Sequence, residues 1–142
     1  MRIVYPAGAR NDLYDRNGAS KGAGFAANAV ASHADTQRWS YTAPASRKLL
    51  VGSLSTTINP QNAGGPANLA QCYGRLTPSG GAATTCCGLA LTLGGGVIAT
   101  SASHLQGMIL MPNDQLEGRT VDLSTGASAS YFIAFAGLEF DA

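Results

Sequence analysis

From Trp39 onward, apolar and polar residues alternate in short segments that are separated by turn residues. This period-2 pattern is typical of β-strands that turn one face to a core and the other outward. The first strong strand is predicted over residues 48–58, where apolar and hydroxyl side chains take opposite faces. These faces are Leu50, Leu54 and Ile58 against Ser53, Ser55 and Thr57.

Further strands are predicted wherever the alternation returns, each bounded by Gly, Pro, Asn or Asp. The last one is apolar on both faces, which predicts a central strand with one side in the core and the other covered. Seven or eight strands with polar turns predict an all-β fold, a two-sheet β-sandwich of jelly-roll type. The further strands span residues 69–76, 86–93, 97–103, 108–111, 116–123 and 129–140.

Residues 1–38 lack this alternation and include a Gly-rich run at residues 17–24. They predict an extended N-terminal arm, followed by a β-sandwich domain over residues 39–142. Within the arm, residues 25–34 predict a short helix, because the stretch is rich in Ala and contains no Gly or Pro. An arm of this kind would order on contact with a neighbouring subunit.

Charge is scarce and unevenly placed. Charged residues make up 12% of the chain, against about 25% in a typical soluble domain. Between residues 49 and 113 the single formal charge is Arg75, which predicts a buried or interfacial partner for it. Residues 1–48 hold seven Lys/Arg and three Asp/Glu, whereas residues 114–142 hold one Arg and five acids. Two interpretations are open: such a charge offset sets the register between neighbouring subunits, or it is a solvated asymmetry with no role.

The composition argues against several classes of partner. A net charge of +1 provides no dense basic face, so nucleic-acid binding is not expected. No apolar run reaches the roughly 18 residues of a membrane helix, and the N-terminus has no signal-peptide core, so we expect synthesis in the cytoplasm and no membrane contact. The three cysteines, Cys72, Cys86 and Cys87, are interpreted as reduced, buried small hydrophobes.

Motifs that suggest chemistry lack the required context. Residues 18–22 match G-x-S-x-G around Ser20, but residues 12–17 are not strand-like and the chain is too short for the serine-hydrolase fold. His33, His104 and the cysteines do not have metal-ligand spacing. The acids late in the chain are interpreted as turn and edge residues rather than a glycosidase pair. We therefore predict no catalytic residue, no cofactor and no metal site. The late acids interpreted as turn and edge residues are Asp114, Glu117, Asp122, Glu139 and Asp141.

Large aromatic residues and the isolated arginine are the candidates for contact with a partner. Aromatic side chains anchor cores and interfaces, and a sugar-stacking platform is the less favoured interpretation. The predicted interface residues are Trp39, Tyr41, Arg75, Tyr131 and Phe135.

Three segments carry a resemblance to a known group of proteins: WSYTAPASRKLLV at 39–51, LMPNDQL at 110–116 and YFIAFAGLEFD at 131–141. Their order resembles that of small β-sandwich virion proteins of tailed bacteriophages, which include capsid decoration proteins and tail or fibre accessory domains. Ser46 and Asn113 stand where glycine is usual in that group. The resemblance covers residues 39–142 and implies a role in structure and assembly rather than a reaction.

The leading hypothesis is a virion protein that decorates or cements a capsid. It would form a homo-oligomer, with a trimer predicted, and bind the major capsid protein or another virion protein. A second hypothesis is a receptor- or glycan-binding module of a tail or fibre that uses Trp39 and the loops 59–68 and 77–85. A third is a small hydrolase, which would need a constellation of Ser20, a His and an Asp that the sequence does not indicate.

Overall fold

The computed structural model describes residues 18–27, 35–60, 68–93, 100–104, 107–122 and 129–142. Within these residues the chain forms strands and turns, and no helix in them is long and apolar enough to cross a membrane. The strands are β1 (Ala19–Ala27), β2 (Thr36–Thr42), β3 (Arg47–Pro60), β4 (Asn68–Thr77), β5 (Thr84–Leu93), β6 (Thr100–His104), β7 (Met108–Leu110), β8 (Gln115–Asp122) and β9 (Ala129–Asp141).

The strands form two antiparallel sheets. Sheet A has the order β1-β9-β3-β6, with β7 also paired to β3, and sheet B has the order β2-β8-β4-β5. Early strands pair with late ones: β1 with β9, β2 with β8, β3 with β6 and β7, and β4 with β5. The chain is thus a long antiparallel ribbon folded over itself, which is a jelly roll. The predicted two-sheet, jelly-roll-like sandwich is confirmed, and so is the central position of β9, but the described residues do not cover its outer side, where Phe132 and Ala136 are exposed.

The faces of β3 differ from the prediction in one respect. Leu54 and Ile58 are buried as predicted, but Leu50 is half-buried and its neighbours Leu49 and Val51 are fully buried. The pairing of β3 with β9 shifts between Val51 and Ser53, so Gly52 is an extra residue in the strand. Such a β-bulge reverses the in–out phase, which places Leu50 on the outer face.

The core lies between the sheets and is centred on Trp39 of β2. Its indole Nε1–H donates a hydrogen bond to the carbonyl oxygen of Ile133 on β9, at 2.9 Å, and so ties sheet B to sheet A. The ring also packs against Phe135, with centroids 5.1 Å apart. Gly118 on β8 makes room for the indole, because a Cβ there would lie 2.3 Å from Trp39 Cε2.

The N-terminal region departs from the sequence-based expectation. Residues 19–27 form β1, which pairs with β9 over nine consecutive residues without a register shift. The predicted helix is therefore wrong at residues 25–27, because pairing with β9 supplies backbone partners that local helix propensity does not anticipate. Residues 28–34 and 1–17 lie outside the described residues. The division at residue 38 into arm and domain stays a prediction.

Candidate interaction surface

Most of the outer face of sheet A forms a continuous surface, here called the neutral face and defined by the four rows below; Lys48, paired with Phe140 in the next row, borders it. The paired residues of β1, β9 and β3 line up in four rows across it, and β7 extends the row that contains Leu50. The rows are Ser20, Leu138, Leu50 and Ile109; Gly22, Ala136 and Ser53; Gly24, Ala134 and Ser55; and Ala26, Phe132 and Thr57.

The neutral face has no charged side chain, and most of its side chains are small. Phe132 and Ile109, in the two outermost rows, are 41% and 50% exposed. Gly22 and Gly24 keep the β1 side flat: a Cβ would lie 3.0 Å from the Phe135 oxygen at Gly22 and 3.2 Å from the Ala134 Cβ at Gly24. A flat surface of this composition loses few hydrogen bonds to water when a protein partner covers it.

The outer face of sheet B is chemically different, because it carries a charged network centred on buried Glu117. Arg75 Nε lies 2.6 Å from Glu117 Oε2, and Arg119 Nη1 lies 3.3 Å from Oε1. Arg119 Nε also contacts Asp35 Oδ1 at 2.9 Å, and the Tyr73 hydroxyl donates to Asp35 Oδ2 at 2.6 Å. Arg75 therefore has the buried partner that its isolation in the sequence predicts.

The pKa values in this network follow from its contacts. Partial burial raises the pKa of Asp35, but hydrogen bonds from Tyr73 and Arg119 outweigh it and hold that pKa below its ordinary value. Burial and the bond to Asp35 raise the pKa of Tyr73. Asp35 is thus ionised at neutral pH. The charged side chains of the Glu117 network therefore pair with one another within the chain.

A second charged network joins the two sheets near residue 139. Buried Glu139 accepts a hydrogen bond from the Tyr41 hydroxyl of β2. Arg47 Nε lies 2.9 Å from Glu139 Oε1, Lys21 Nζ lies 3.8 Å from the same oxygen, and Arg47 Nη1 reaches Asp141 Oδ1 at 2.5 Å. Burial and the bond to Glu139 raise the pKa of Tyr41. The network fixes the strand ends.

The two turns that carry the family resemblance lie against each other. Ala43 N–H donates to the Asp114 carbonyl oxygen at 2.9 Å, and Asn113 N–H donates to the Ala43 oxygen at 2.8 Å. The Asp114 carboxylate accepts from the backbone N–H groups of Ser79 and Met111, each at 2.9 Å. Asn113 has a φ of 66°, the left-handed conformation that glycine and asparagine tolerate best. This turn cluster orders the exposed loop 78–83.

The residues predicted as interface candidates lie in three places. Trp39, Tyr131 and Phe135 are buried between the sheets, Tyr41 is half-buried in the Glu139 network, and Arg75 is in the Glu117 network. An interface role for them stays a prediction. The neutral face is built mainly from smaller residues, whose only signal in the sequence is their outward position in an alternating strand.

The structure also places the residues considered for chemistry. Ser20 is exposed on the regular edge strand β1, not at the strand-to-helix turn that a G-x-S-x-G nucleophile needs. Burial raises the pKa of the Cys72 thiol to about 12, so it is protonated at neutral pH. In the described part of the chain, no three His, Cys, Asp or Glu side chains group as metal ligands would. His33 lies outside the described residues.

No protein-family model and no curated protein matches the chain. Solved structures that match include one of infectious bursal disease virus, Gx strain, with 10% identity, a TM-score of 0.37, and coverage of 87% of this chain and 37% of that chain. Another is the D431N mutant VP2 protein of that virus, from derived T=1 particles, with 11% identity, a TM-score of 0.32, and coverage of 87% and 36%. This chain spans little more than a third of either, and similarities this low do not bear on what it binds.

Proposed function

We propose that this chain is a non-enzymatic virion structural protein, most concretely a capsid decoration or cement protein of a tailed bacteriophage. It would form a homo-oligomer, be located in the virion and bind the major capsid protein. The observation that carries the proposal is the neutral face of sheet A, four outer rows without a charged side chain, bordered at one end by Lys48, on a small jelly roll. The resemblance of residues 39–142 to phage virion proteins points to the same role.

The contrast between the two sheets supports this assignment of faces. Charged side chains of sheet B and of the Glu139 network pair within the chain, which leaves the neutral face as the broad surface that is cheap to desolvate. Exposed Phe132 and Ile109 supply apolar anchors in its two outermost rows. Small residues between them allow close approach over the whole area, as interfaces between assembled subunits require.

The test is to place a charge in the middle of the neutral face. Ala136 is exposed there, so Ala136→Lys and Ala136→Glu leave the core unchanged. We expect both to reduce co-sedimentation with particles of the encoding virus that lack this protein, because either charge must be desolvated on contact. Thr42→Lys and Thr42→Glu, exposed on the outer face of sheet B, are the matched controls and should bind as wild type does. Full binding by both Ala136 variants, or no binding by the wild-type chain, would refute the proposal.

The turn cluster favours a second candidate, a receptor- or glycan-binding module of a tail or fibre. The Asp114 carboxylate accepts a hydrogen bond from Ser79 N–H and so ties the start of the exposed loop 78–83 to the turn cluster, which helps to position a binding loop. Trp39 cannot supply a stacking platform in this arrangement because it is buried. This candidate predicts glycan-array binding that Asp114→Ala abolishes. An array without hits, together with tight binding to particles, would discard it.

A further inference from the structure

The edge of β1 that faces away from β9 is an unusual feature of this sandwich. β1 ends sheet A, and among the described residues it pairs only with β9. A strand at the edge of a sheet directs alternate backbone N–H and C=O groups outward, where they pair readily with another strand. Proteins usually protect such edges with prolines, bulges, short length or charges.

β1 has little of this protection. It runs for nine residues without proline or bulge, and its one charged residue, Lys21, is directed to Glu139 at 3.8 Å. The other edges differ: β2 has an irregularity between Gln37 and Trp39, β5 has an extra residue opposite the step from Gly74 to Arg75, and β6 and β7 are five and three residues long. The edge of β1 is therefore suited to receive a strand.

The strand that fits best is β1 of a second copy. In an antiparallel pair about a two-fold axis at Ala23, every residue meets a compatible one and no like charges are opposed. The pairs are Ala19 with Ala27, Ser20 with Ala26, Lys21 with Phe25, Gly22 with Gly24, and Ala23 with itself. An isologous contact of this kind closes on itself and needs only one surface.

The area of the neutral face also supports a second copy of the chain as the partner of the β1 edge. Four strands of about 4.8 Å spacing and six residues of about 3.4 Å rise give roughly 20 Å by 20 Å, or about 400 Å². A standard protein–protein interface needs about 800 Å² from each partner. A two-fold axis perpendicular to sheet A keeps both outer faces on the same side, so pairing through β1 doubles the neutral face to the standard size.

We propose that two copies of this chain join through β1 in this register, so that their A sheets form one continuous sheet. The unit is a dimer, in place of the trimer predicted from the sequence. The inference rests on the proposed function only for the use of the doubled face, because the pairing itself needs no particle.

The test measures the mass of the full chain by analytical ultracentrifugation over a concentration series, with two variants of equal size. Ser20→Lys with Ala26→Lys opposes like charges twice in the dimer, and we expect its dissociation constant to rise about tenfold or more. Ser20→Lys with Ala26→Glu changes the same positions, both exposed, but opposes unlike charges, and we expect it to dimerise as wild type does or better.

A wild-type chain that is monomeric at its solubility limit overturns the inference, and so does an oligomer that persists equally in both variants. If both variants dimerise equally weakly, residues 20 and 26 affect the contact but are not opposite each other in it. This result would also overturn the proposed pairing. Circular dichroism of each variant verifies that the fold is retained. Because particle binding is measured separately with the Ala136 variants, failure of the dimer and failure of the proposed function are distinguishable.

Discussion

The contact between Gly118 and Trp39 gives the sharpest prediction about stability. The indole lies so close to Gly118 that an added Cβ would be 2.3 Å from Cε2, 2.4 Å from Nε1 and 2.7 Å from Cζ2 of Trp39. Since Trp39 is buried, Gly118→Ala forces the ring to move. Movement of the ring also lengthens the hydrogen bond from Nε1 to the Ile133 oxygen.

The expected cost follows from these two effects. Overpacking a core costs about 1–3 kcal/mol, and the weakened indole hydrogen bond about 1 kcal/mol. Alanine in place of glycine raises the free energy of unfolding by about 0.5–1 kcal/mol, because it restricts the conformations of the unfolded chain. With three sub-van-der-Waals contacts the packing term should lie at its upper end, so Gly118→Ala should lower the free energy of unfolding by about 3 kcal/mol.

Urea unfolding followed by far-UV circular dichroism measures this free energy directly. Gly52→Ala is the matched control, because its Cβ would meet only the Ala136 oxygen, at 3.5 Å; we expect a change within about 0.5 kcal/mol. In a Trp39→Leu background the clash is absent, so Gly118→Ala should then be nearly neutral. The reasoning is refuted if Gly118→Ala is as stable as wild type, or if it lowers the free energy of unfolding equally in the Trp39→Leu background. Either result would show that contact with the indole does not determine the loss of stability.

Predictions for three other positions can be tested by chemical denaturation. Arg75→Met should lower the free energy of unfolding by about 1–3 kcal/mol, because buried Glu117 loses one of the two arginines that pair with it among the described residues; no loss would mean that this ion pair is dispensable. Asn113→Gly should be tolerated and Asn113→Val should cost about 1–2 kcal/mol at φ 66°; equal stabilities would contradict the left-handed turn. The pKa of Cys72 is raised from 9.0 to about 12, so above pH 9 the unfolded chain loses this proton first and stability falls by about 1.4 kcal/mol per pH unit. Cys72→Ala should have a shallower slope between pH 8 and 10, and an unchanged slope would contradict the assignment.

The strands after Trp39 could be predicted because each alternates between a core side and an outer side. The exception is the start of β3, where the same alternation placed Leu50 inward. Gly52 adds one residue to the strand opposite β9, and a bulge is a property of two paired strands rather than of one. The sequence of β3 alone therefore does not reveal that the alternation of inward and outward residues reverses at Gly52.

β1 and the neutral face were harder to predict for a related reason. Residues 19–27 are mostly Gly and Ala, which do not distinguish inward from outward positions, so the strand is defined only by its pairing with β9. Aromatic size identified Trp39 and Phe135 as important residues, but it does not separate a core from an interface. The isolation of Arg75 did predict a partner, because a charge amid apolar strands must be compensated.

The position of β9 determines when the sandwich can fold during synthesis. It is the central strand of sheet A, between β1 and β3, yet it is translated after both, and Ala19 pairs with Glu139, 120 positions later. Contacts so distant in sequence form slowly, because the loops they close carry a large entropy cost. Until β9 leaves the ribosome, β1 and β3 lack their shared partner and present open edges to other nascent chains. Aggregation on the ribosome should therefore be most severe for chains arrested just before residue 129, and chaperones that bind extended segments should reduce it.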